Sequence, residues 1–167
     1  IVNETEVING PGQWAYDENE NMVFLWTPNG DSPENYTINT SEENDGFSGH
    51  NISYISIQDL NLKAFKSDGI AFTGEVNNII ITNNSFIDNY ACGINLYSWG
   101  EYYDEVNISN NFIKGSNRCA IRAIGNSFHI INNTINDIGL LENIGIDGFI
   151  DSYHAAIGIF LYPVDNS

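Results

Sequence analysis

Ile108-Ser109-Asn110-Asn111-Phe112-Ile113 is the stretch that decides the fold, because the chain repeats its pattern. The motif Ile-x-Asn-Asn-x-(Ile/Phe) returns as Ile81-Thr82-Asn83-Asn84-Ser85-Phe86 and as Ile130-Ile131-Asn132-Asn133-Thr134-Ile135, after a degenerate copy, Ile57-Gln58-Asp59-Leu60-Asn61-Leu62. The first isoleucines, at 57, 81, 108 and 130, are 24, 27 and 22 residues apart. Steps of this length are typical of one repeat of a solenoid.

A second pattern runs in phase with the first and predicts a short strand of alternating polarity. Its copies are Gly69-Ile70-Ala71-Phe72, Gly93-Ile94-Asn95-Leu96, Ala120-Ile121-Arg122-Ala123 and Ala156-Ile157-Gly158-Ile159. Each repeat thus contains two or three short strands separated by Asn, Asp, Gly and Ser, with no segment at helical spacing. The last step is lengthened by an insertion. We expect four isoleucines to stack inside the coils: Ile70, Ile94, Ile121 and Ile157.

The recurring asparagines predict a column of side-chain amides at one corner, with Asn84, Asn111 and Asn133 each bonding the neighbouring coil. The repeats resemble those of the right-handed parallel β-helix, the fold of the pectate-lyase-like superfamily. The stretch Pro11-Gly12-Gln13-Trp14-Ala15-Tyr16-Asp17 resembles the hairpin that leads into the helix in many bacterial polysaccharide-degrading proteins.

This resemblance implies an all-β fold, a right-handed parallel β-helix of about four coils with an N-terminal β-hairpin lead-in. We expect the lead-in hairpin and a partial coil over residues 1–49, and the parallel coils over residues 50–167. Because solenoids need capping at both ends, we also expect a fragment of a longer solenoid, with the rest of its own chain as a partner.

Composition restricts the classes of function. With 167 residues, 42% of them hydrophobic and 16% charged, the chain is expected to form about one globular domain. It contains no apolar run long enough to span a membrane. The net charge of −17 argues against nucleic acid as a partner, since such binding rests on clustered Lys and Arg. All five basic residues lie between positions 63 and 122: Lys63, Lys66, Lys114, Arg118 and Arg122.

The two cysteines are predicted to be neighbours on adjacent coils. Cys92 and Cys119 are 27 residues apart and precede Ile94 and Ile121 by two residues, so each shares the parity of an inward isoleucine. A strand spacing lies within the Cα separation that a disulfide requires. The sequence leaves open whether they form a disulfide or remain two stacked, buried thiols.

The resemblance also indicates where a site would lie, because β-helix enzymes usually place their sites on the Gly-Ile strand and its two flanking loops. The outward column of that strand is expected to be Ala71, Asn95, Arg122 and Gly158. Aromatic rings suit the apolar faces of sugars, and Arg and Lys pair with carboxylate or sulfate groups. The candidate substrate-binding residues are Asn95, Tyr97, Trp99, Tyr103, Lys66 and Arg118.

The candidate catalytic residues are Arg122, Asp68 and His154. For a lyase, the resemblance implies that Arg122 or a neighbouring Lys acts as base or carboxylate neutraliser, and that calcium is a candidate cofactor held by Asp68 and Asp88. Structural alternatives stay open at each position. Arg122 is equally suited to a salt bridge with Asp68 or Asp151, His154 to a structural role, and the 97–103 loop to burying its own rings.

We therefore expect an extracellular or cell-surface β-helix segment that binds or degrades a polysaccharide, with an anionic polysaccharide as one candidate. If the full-length protein is an enzyme, a polysaccharide lyase or glycoside hydrolase is expected. The alternative is a non-catalytic surface adhesin or structural β-solenoid. The sequence contains neither a lyase signature around Arg122 nor the paired acids of polygalacturonase-like hydrolases, so binding ranks above catalysis.

Overall fold

The fold is that of a computed structural model, which describes residues 8–17, 19–20, 22–37, 41–97, 103–125, 127–139 and 157–162. The chain divides into two compact units, Ile1–Asn39 and Thr40–Ser167. In the first unit, strand β1 (Trp14–Asp17) pairs antiparallel with β2 (Met22–Leu25), as the sequence predicts, and a 3-10 turn follows at Pro33–Asn35.

The second unit is a parallel β-solenoid of about four turns built from three sheets. The first sheet contains β3 (Phe47–His50), β6 (Ile70–Thr73), β9 (Cys92–Leu96), β12 (Cys119–Ile124) and β15 (Ile157–Tyr162). The second sheet contains β4 (Ser53–Gln58), β7 (Val76–Thr82), β10 (Tyr103–Ser109) and β13 (Phe128–Ile131). The third sheet contains β5 (Asn61–Lys63), β8 (Ser85–Ile87), β11 (Phe112–Lys114) and β14 (Thr134–Asn136). All neighbours within these three sheets are parallel. Each of the four coils from β3 to β14 contributes one strand to each sheet, and β15 adds a fifth strand to the first sheet.

The register across the second sheet confirms the repeat read from the sequence. Ile57 pairs with Ile81, Ile81 with Ile108, and Ile108 with Ile130. Ile57, Ile81 and Ile108 are buried, as are Ile70, Ile94 and Ile121 of the first sheet. Alternate side chains of a strand point to opposite faces, so these isoleucines fill the inside of the coils and leave their neighbours outside.

The asparagine column at the corner between the second and third sheets is also confirmed. Asn84 Nδ2 donates to Asn111 Oδ1 at 3.1 Å, and Asn111 Nδ2 donates to Asn133 Oδ1 at 3.0 Å. Each amide oxygen also accepts from a backbone N–H one coil earlier, as Asn111 Oδ1 does from Asn84 N at 2.9 Å. Each amide nitrogen donates to a backbone carbonyl, as Asn111 Nδ2 does to that of Ile81 at 2.9 Å. The column therefore satisfies the backbone where the chain turns.

The first residue of each Asn-Asn pair has a different role. Asn83, Asn110 and Asn132 have φ values of 56°, 56° and 55°, and Asp59 in the degenerate copy has 60°. Asn and Asp enter this left-handed region more readily than other non-glycine residues, which explains their choice here. The first residue of the pair thus turns the backbone, and the second forms hydrogen bonds with backbone groups of the neighbouring coil.

The register predicted for the last coil is wrong by two residues. Ile121 pairs with Ile159 rather than with Ile157, and Cys119 pairs with Ile157. A shift of two residues keeps every side chain on the same face of a strand, so the alternation of the sequence is satisfied by both registers. In the register that forms, Gly158 lies in the same column as Gly69, Gly93 and Ala120.

Candidate functional site

The outer face of the first sheet presents one row of side chains in register across the five strands. The row consists of Ser48, Ala71, Asn95, Arg122 and Phe160. Because the last coil is shifted, Phe160 occupies the position that the sequence assigned to Gly158. The row therefore runs from small side chains through an amide and a guanidinium to an aromatic ring.

Arg122 lies flat on an aromatic neighbour. The Cζ atom of its guanidinium is 3.6 Å from the centroid of the Tyr97 ring, which is a cation–π contact. Within the part of the chain that the structure describes, no carboxylate lies within 4.0 Å of an Arg122 nitrogen, and its buried Nε has no hydrogen-bond acceptor. Asp68 thus makes no salt bridge with Arg122, and Asp151, the other acid considered, lies outside the described residues.

Asn95 is oriented by a buried carboxylate. Its Nδ2 donates to Asp68 Oδ2 at 2.9 Å, while Asp68 Oδ1 accepts from the backbone N–H of Cys92 at 2.7 Å. Since an ionised carboxylate only accepts, the amide nitrogen of Asn95 must face Asp68 and its oxygen must point away. That oxygen is buried and, among the described residues, has no donor. Asn95 Oδ1 and Arg122 Nε are thus an unsatisfied acceptor and an unsatisfied donor on paired residues.

Burial perturbs both charged groups of this face. Burial raises the pKa of Asp68, while its hydrogen bonds from Asn95 and Cys92 act in the opposite direction. Burial also lowers the pKa of Arg122, helped by the nearby positive charge of Arg118, while Tyr97 and Asp68 oppose the shift. Both shifts follow from removing a charged group from water without a full opposite partner.

A disulfide joins the two strands that carry Asn95 and Arg122. Cys92 and Cys119 are paired residues of β9 and β12, with their Cα atoms 4.8 Å apart. Three residues after each cysteine comes a side chain of the site, because Asn95 follows Cys92 and Arg122 follows Cys119. The bridge therefore fixes the spacing of these two strands.

The other candidate residues lie in different environments. Arg118 directly precedes β12 and lies close enough to affect both Asp68 and Arg122 electrostatically. Lys66 donates from Nζ to the backbone carbonyl of Glu42 at 2.8 Å. Asp88 is exposed and lies in the turn after β8, whereas Asp68 is buried, with 4% of its surface exposed. Trp99 and His154 lie outside the described residues.

Tyr103 belongs to the core rather than to the surface. It is the first residue of β10, is only 1% exposed, and its hydroxyl donates to the Phe72 carbonyl at 2.8 Å. The sequence contained a signal for this. Tyr103, Val106 and Ile108 repeat the spacing of Val76, Ile79 and Ile81, and the two sets are paired and buried.

Within the described ranges, no group of three or more His, Cys, Asp or Glu side chains is arranged to hold a metal ion. No described helix has the length and apolar character that crossing a membrane requires.

Comparison with protein-family models, curated proteins and solved structures finds no match for this chain.

Proposed function

We propose that this protein is an extracellular β-solenoid that binds an anionic polysaccharide across the outer face of the first sheet. The observation that carries the proposal is the guanidinium of Arg122, which lies 3.6 Å from the centroid of the Tyr97 ring and has no carboxylate within 4.0 Å in the described part of the chain. A cation that is held in place without an opposite charge can pair with an anionic group of a ligand.

The chemistry of the face favours a ligand that is both anionic and hydroxylated. A guanidinium pairs with carboxylate or sulfate oxygens, and its position against Tyr97 holds its plane in place before the ligand arrives. Sugar hydroxyls both donate and accept hydrogen bonds, so they suit a side-chain amide such as that of Asn95. Polysaccharides that carry acidic groups offer both within one or two sugar units.

An extracellular location is supported by the disulfide between Cys92 and Cys119, because such bonds persist mainly in oxidising compartments. The net charge of −17 opposes the approach of any polyanion at long range. This repulsion is common to the protein and to its variants, so comparing variants isolates the local contribution of Arg122.

The first prediction is that Arg122→Ala weakens binding to alginate, pectate or carrageenan about tenfold or more, since a hydrogen bond to a charged group contributes about 1.5–3 kcal/mol. Binding is measured by affinity electrophoresis and by calorimetry at several salt concentrations. Because Arg122→Ala removes one charge contact with the ligand, its affinity should depend less on salt concentration than that of the parent protein.

Lys114→Ala is the matched control, because it removes the same unit of charge. Lys114 already lies 3.5 Å from Asp137, so its charge is partly neutralised. We expect binding to change less than about twofold in this variant. If the protein binds none of the three anionic polymers, or if Arg122→Ala binds as the parent does, the proposal is wrong.

Cleavage by a lyase reaction is a second candidate, and the position of Arg122 against Tyr97 without a carboxylate partner in the described part of the chain favours it. A lyase removes a proton beside a uronate carboxylate while a cation neutralises that carboxylate, and the guanidinium of Arg122 suits the neutralising role. Both oxygens of Asp68 are already engaged, so we assign Asp68 to orienting Asn95 rather than to proton transfer. Absorbance of unsaturated ends and release of reducing sugar, measured in the same polymer screen, distinguish lyase, hydrolase and binder.

The finer identity of the fold belongs to the same proposal. We propose that the coils wind right-handed and that the chain is similar to the pectate-lyase-like superfamily, on the strength of its Asn-Asn and Gly-Ile repeats. A surface adhesin or structural solenoid without glycan affinity remains the competing function, and absence of binding in the polymer screen would favour it.

A further inference from the structure

A groove crosses the outer face of the second sheet, away from the residues discussed so far. Its volume is about 470 Å³, within the range of small-molecule sites. Its floor follows one register row, in which Ser56, Ile80, Asn107 and His129 are successive partners on β4, β7, β10 and β13. Three strand spacings make this row roughly 14 Å long.

Tyr54 and Ile80 give this groove an apolar platform. Tyr54 is 82% exposed and Ile80 is 46% exposed, although both are large side chains that folding usually buries. Tyr54 also has a φ of 62°, a left-handed conformation that bulky residues seldom adopt. Asn78 and Glu105, which follow the paired residues Asn77 and Asp104, share this conformation at 54° and 51°. The left-handed residue thus recurs at the same position in successive coils. Asn adopts this conformation more easily than Tyr does, yet the sequence has an aromatic residue, Tyr54, at this position.

Polar groups surround the platform. Asn78, Asn107, His129 and Glu105 line the groove together with Ser56, and they offer amide, imidazole, carboxylate and hydroxyl groups. The buried Oδ1 of Asn107 has no donor among the described residues. The described lining contains one acid and neither Lys nor Arg, so an anionic ligand is disfavoured here.

We infer that this groove is a second binding site and that its ligand is a neutral saccharide. A sugar ring has an apolar face that stacks on an exposed tyrosine, and hydroxyls around its edge that donate to and accept from amide, imidazole and carboxylate groups. A row of roughly 14 Å accommodates a short oligosaccharide along the strands' pairing direction. The inference does not rest on the proposed function, because it involves a different sheet and a ligand of different charge.

The test uses neutral hexasaccharides of cellulose, xylan, mannan and starch as probes, with binding followed by saturation-transfer NMR and calorimetry. Tyr54→Asn removes the ring and keeps a residue suited to the left-handed backbone, so loss of binding cannot be attributed to strain. We expect Tyr54→Asn to reduce the affinity for the bound probe about tenfold, and Tyr54→Phe to change it less than about threefold.

Arg122→Ala distinguishes this inference from the proposed function, because it should leave neutral-saccharide binding unchanged. If none of the four probes binds the parent protein, or if Tyr54→Asn binds as well as the parent, the inference is overturned. If Arg122→Ala abolishes neutral binding while Tyr54→Asn does not, the saccharide binds on the first sheet and the groove is not its site.

Discussion

Asp68 affects the site by orienting Asn95, because both of its carboxylate oxygens already accept hydrogen bonds from the protein before any ligand arrives. Cys92 N–H and Asn95 Nδ2 donate to it at 2.7 Å and 2.9 Å. The carboxylate therefore fixes which atom of Asn95 points away. The sequence identified Asp68 as a site residue, but it did not reveal this role, because hydrogen-bond direction depends on side-chain positions that no spacing rule provides.

The pH dependence of stability should reveal the buried carboxyl of Asp68. Its pKa in the folded protein is raised above the ordinary value of 3.8, so above that pH the folded state retains a proton that the unfolded state has lost. The free energy of unfolding should therefore fall as pH rises from about 3.8 through the raised pKa, and then level off. Subtracting the pH profile of Asp68→Asn, measured by urea denaturation, cancels the other carboxyl groups. A difference that grows in favour of the parent protein as pH rises would show that the hydrogen bonds to Asp68 outweigh its burial and lower its pKa.

At the scale of the element, the corner between the second and third sheets is the feature that the sequence predicts best. The repeated Asn pair specifies both a left-handed turn and a buried bonding column, since Asn performs each of these tasks better than most residues. The last coil was predicted less well, because its insertion removes the constant spacing and parity alone cannot exclude a shift of two residues. Tyr103 was misplaced because four aromatic residues in the 97–103 loop concealed the start of β10.

Asn111 is at the centre of the asparagine column, so its removal should affect two coils. Asn111→Ala leaves the N–H of Asn84 without its acceptor and removes the Asn111 donor from the Ile81 carbonyl, while Asn84 Nδ2 keeps only its bond to the Ile57 carbonyl. We expect a loss of about 3 kcal/mol in the free energy of unfolding, measured by chemical denaturation, because each buried, unsatisfied group costs about 1–3 kcal/mol.

Asn110→Gly is the matched control for this change. Asn110 is exposed, and glycine readily adopts its φ of 56°. The free energy of unfolding of the Asn110→Gly variant should differ from that of the parent protein by no more than about 0.5 kcal/mol. Equal losses in the two variants would show that the column does not stabilise the corner.

At the scale of the whole molecule, charge opposes the compact state. The chain contains 22 acidic and five basic residues, and the described part contains a single ion pair, Lys114 with Asp137. Repulsion between like charges therefore outweighs attraction between opposite charges, and salt screens both. Composition alone predicts this balance, whereas it does not predict that Arg118 and Arg122 are brought together beside a buried Asp68.

Salt should therefore stabilise the protein. Raising sodium chloride from about 0.01 M to about 0.15 M shortens the screening length from about 30 Å to about 8 Å. We expect the melting temperature to rise by about 3 °C, which corresponds to about 1 kcal/mol for a chain of this size. Calorimetric scans at the two concentrations measure the shift. A fall in melting temperature would show that attractive pairs dominate instead.

The disulfide between neighbouring coils also determines how the protein responds to mechanical tension. A solenoid pulled from its two ends lengthens as coils peel away one at a time, because each coil contacts only its neighbours. The bond between Cys92 and Cys119 has a sequence separation of 27 residues, so the segment between them cannot extend under load. The disulfide therefore shortens the fully extended chain by roughly 90 Å. The strands that carry Asn95 and Arg122 thus stay joined at their cysteines even when the coils on either side have unravelled.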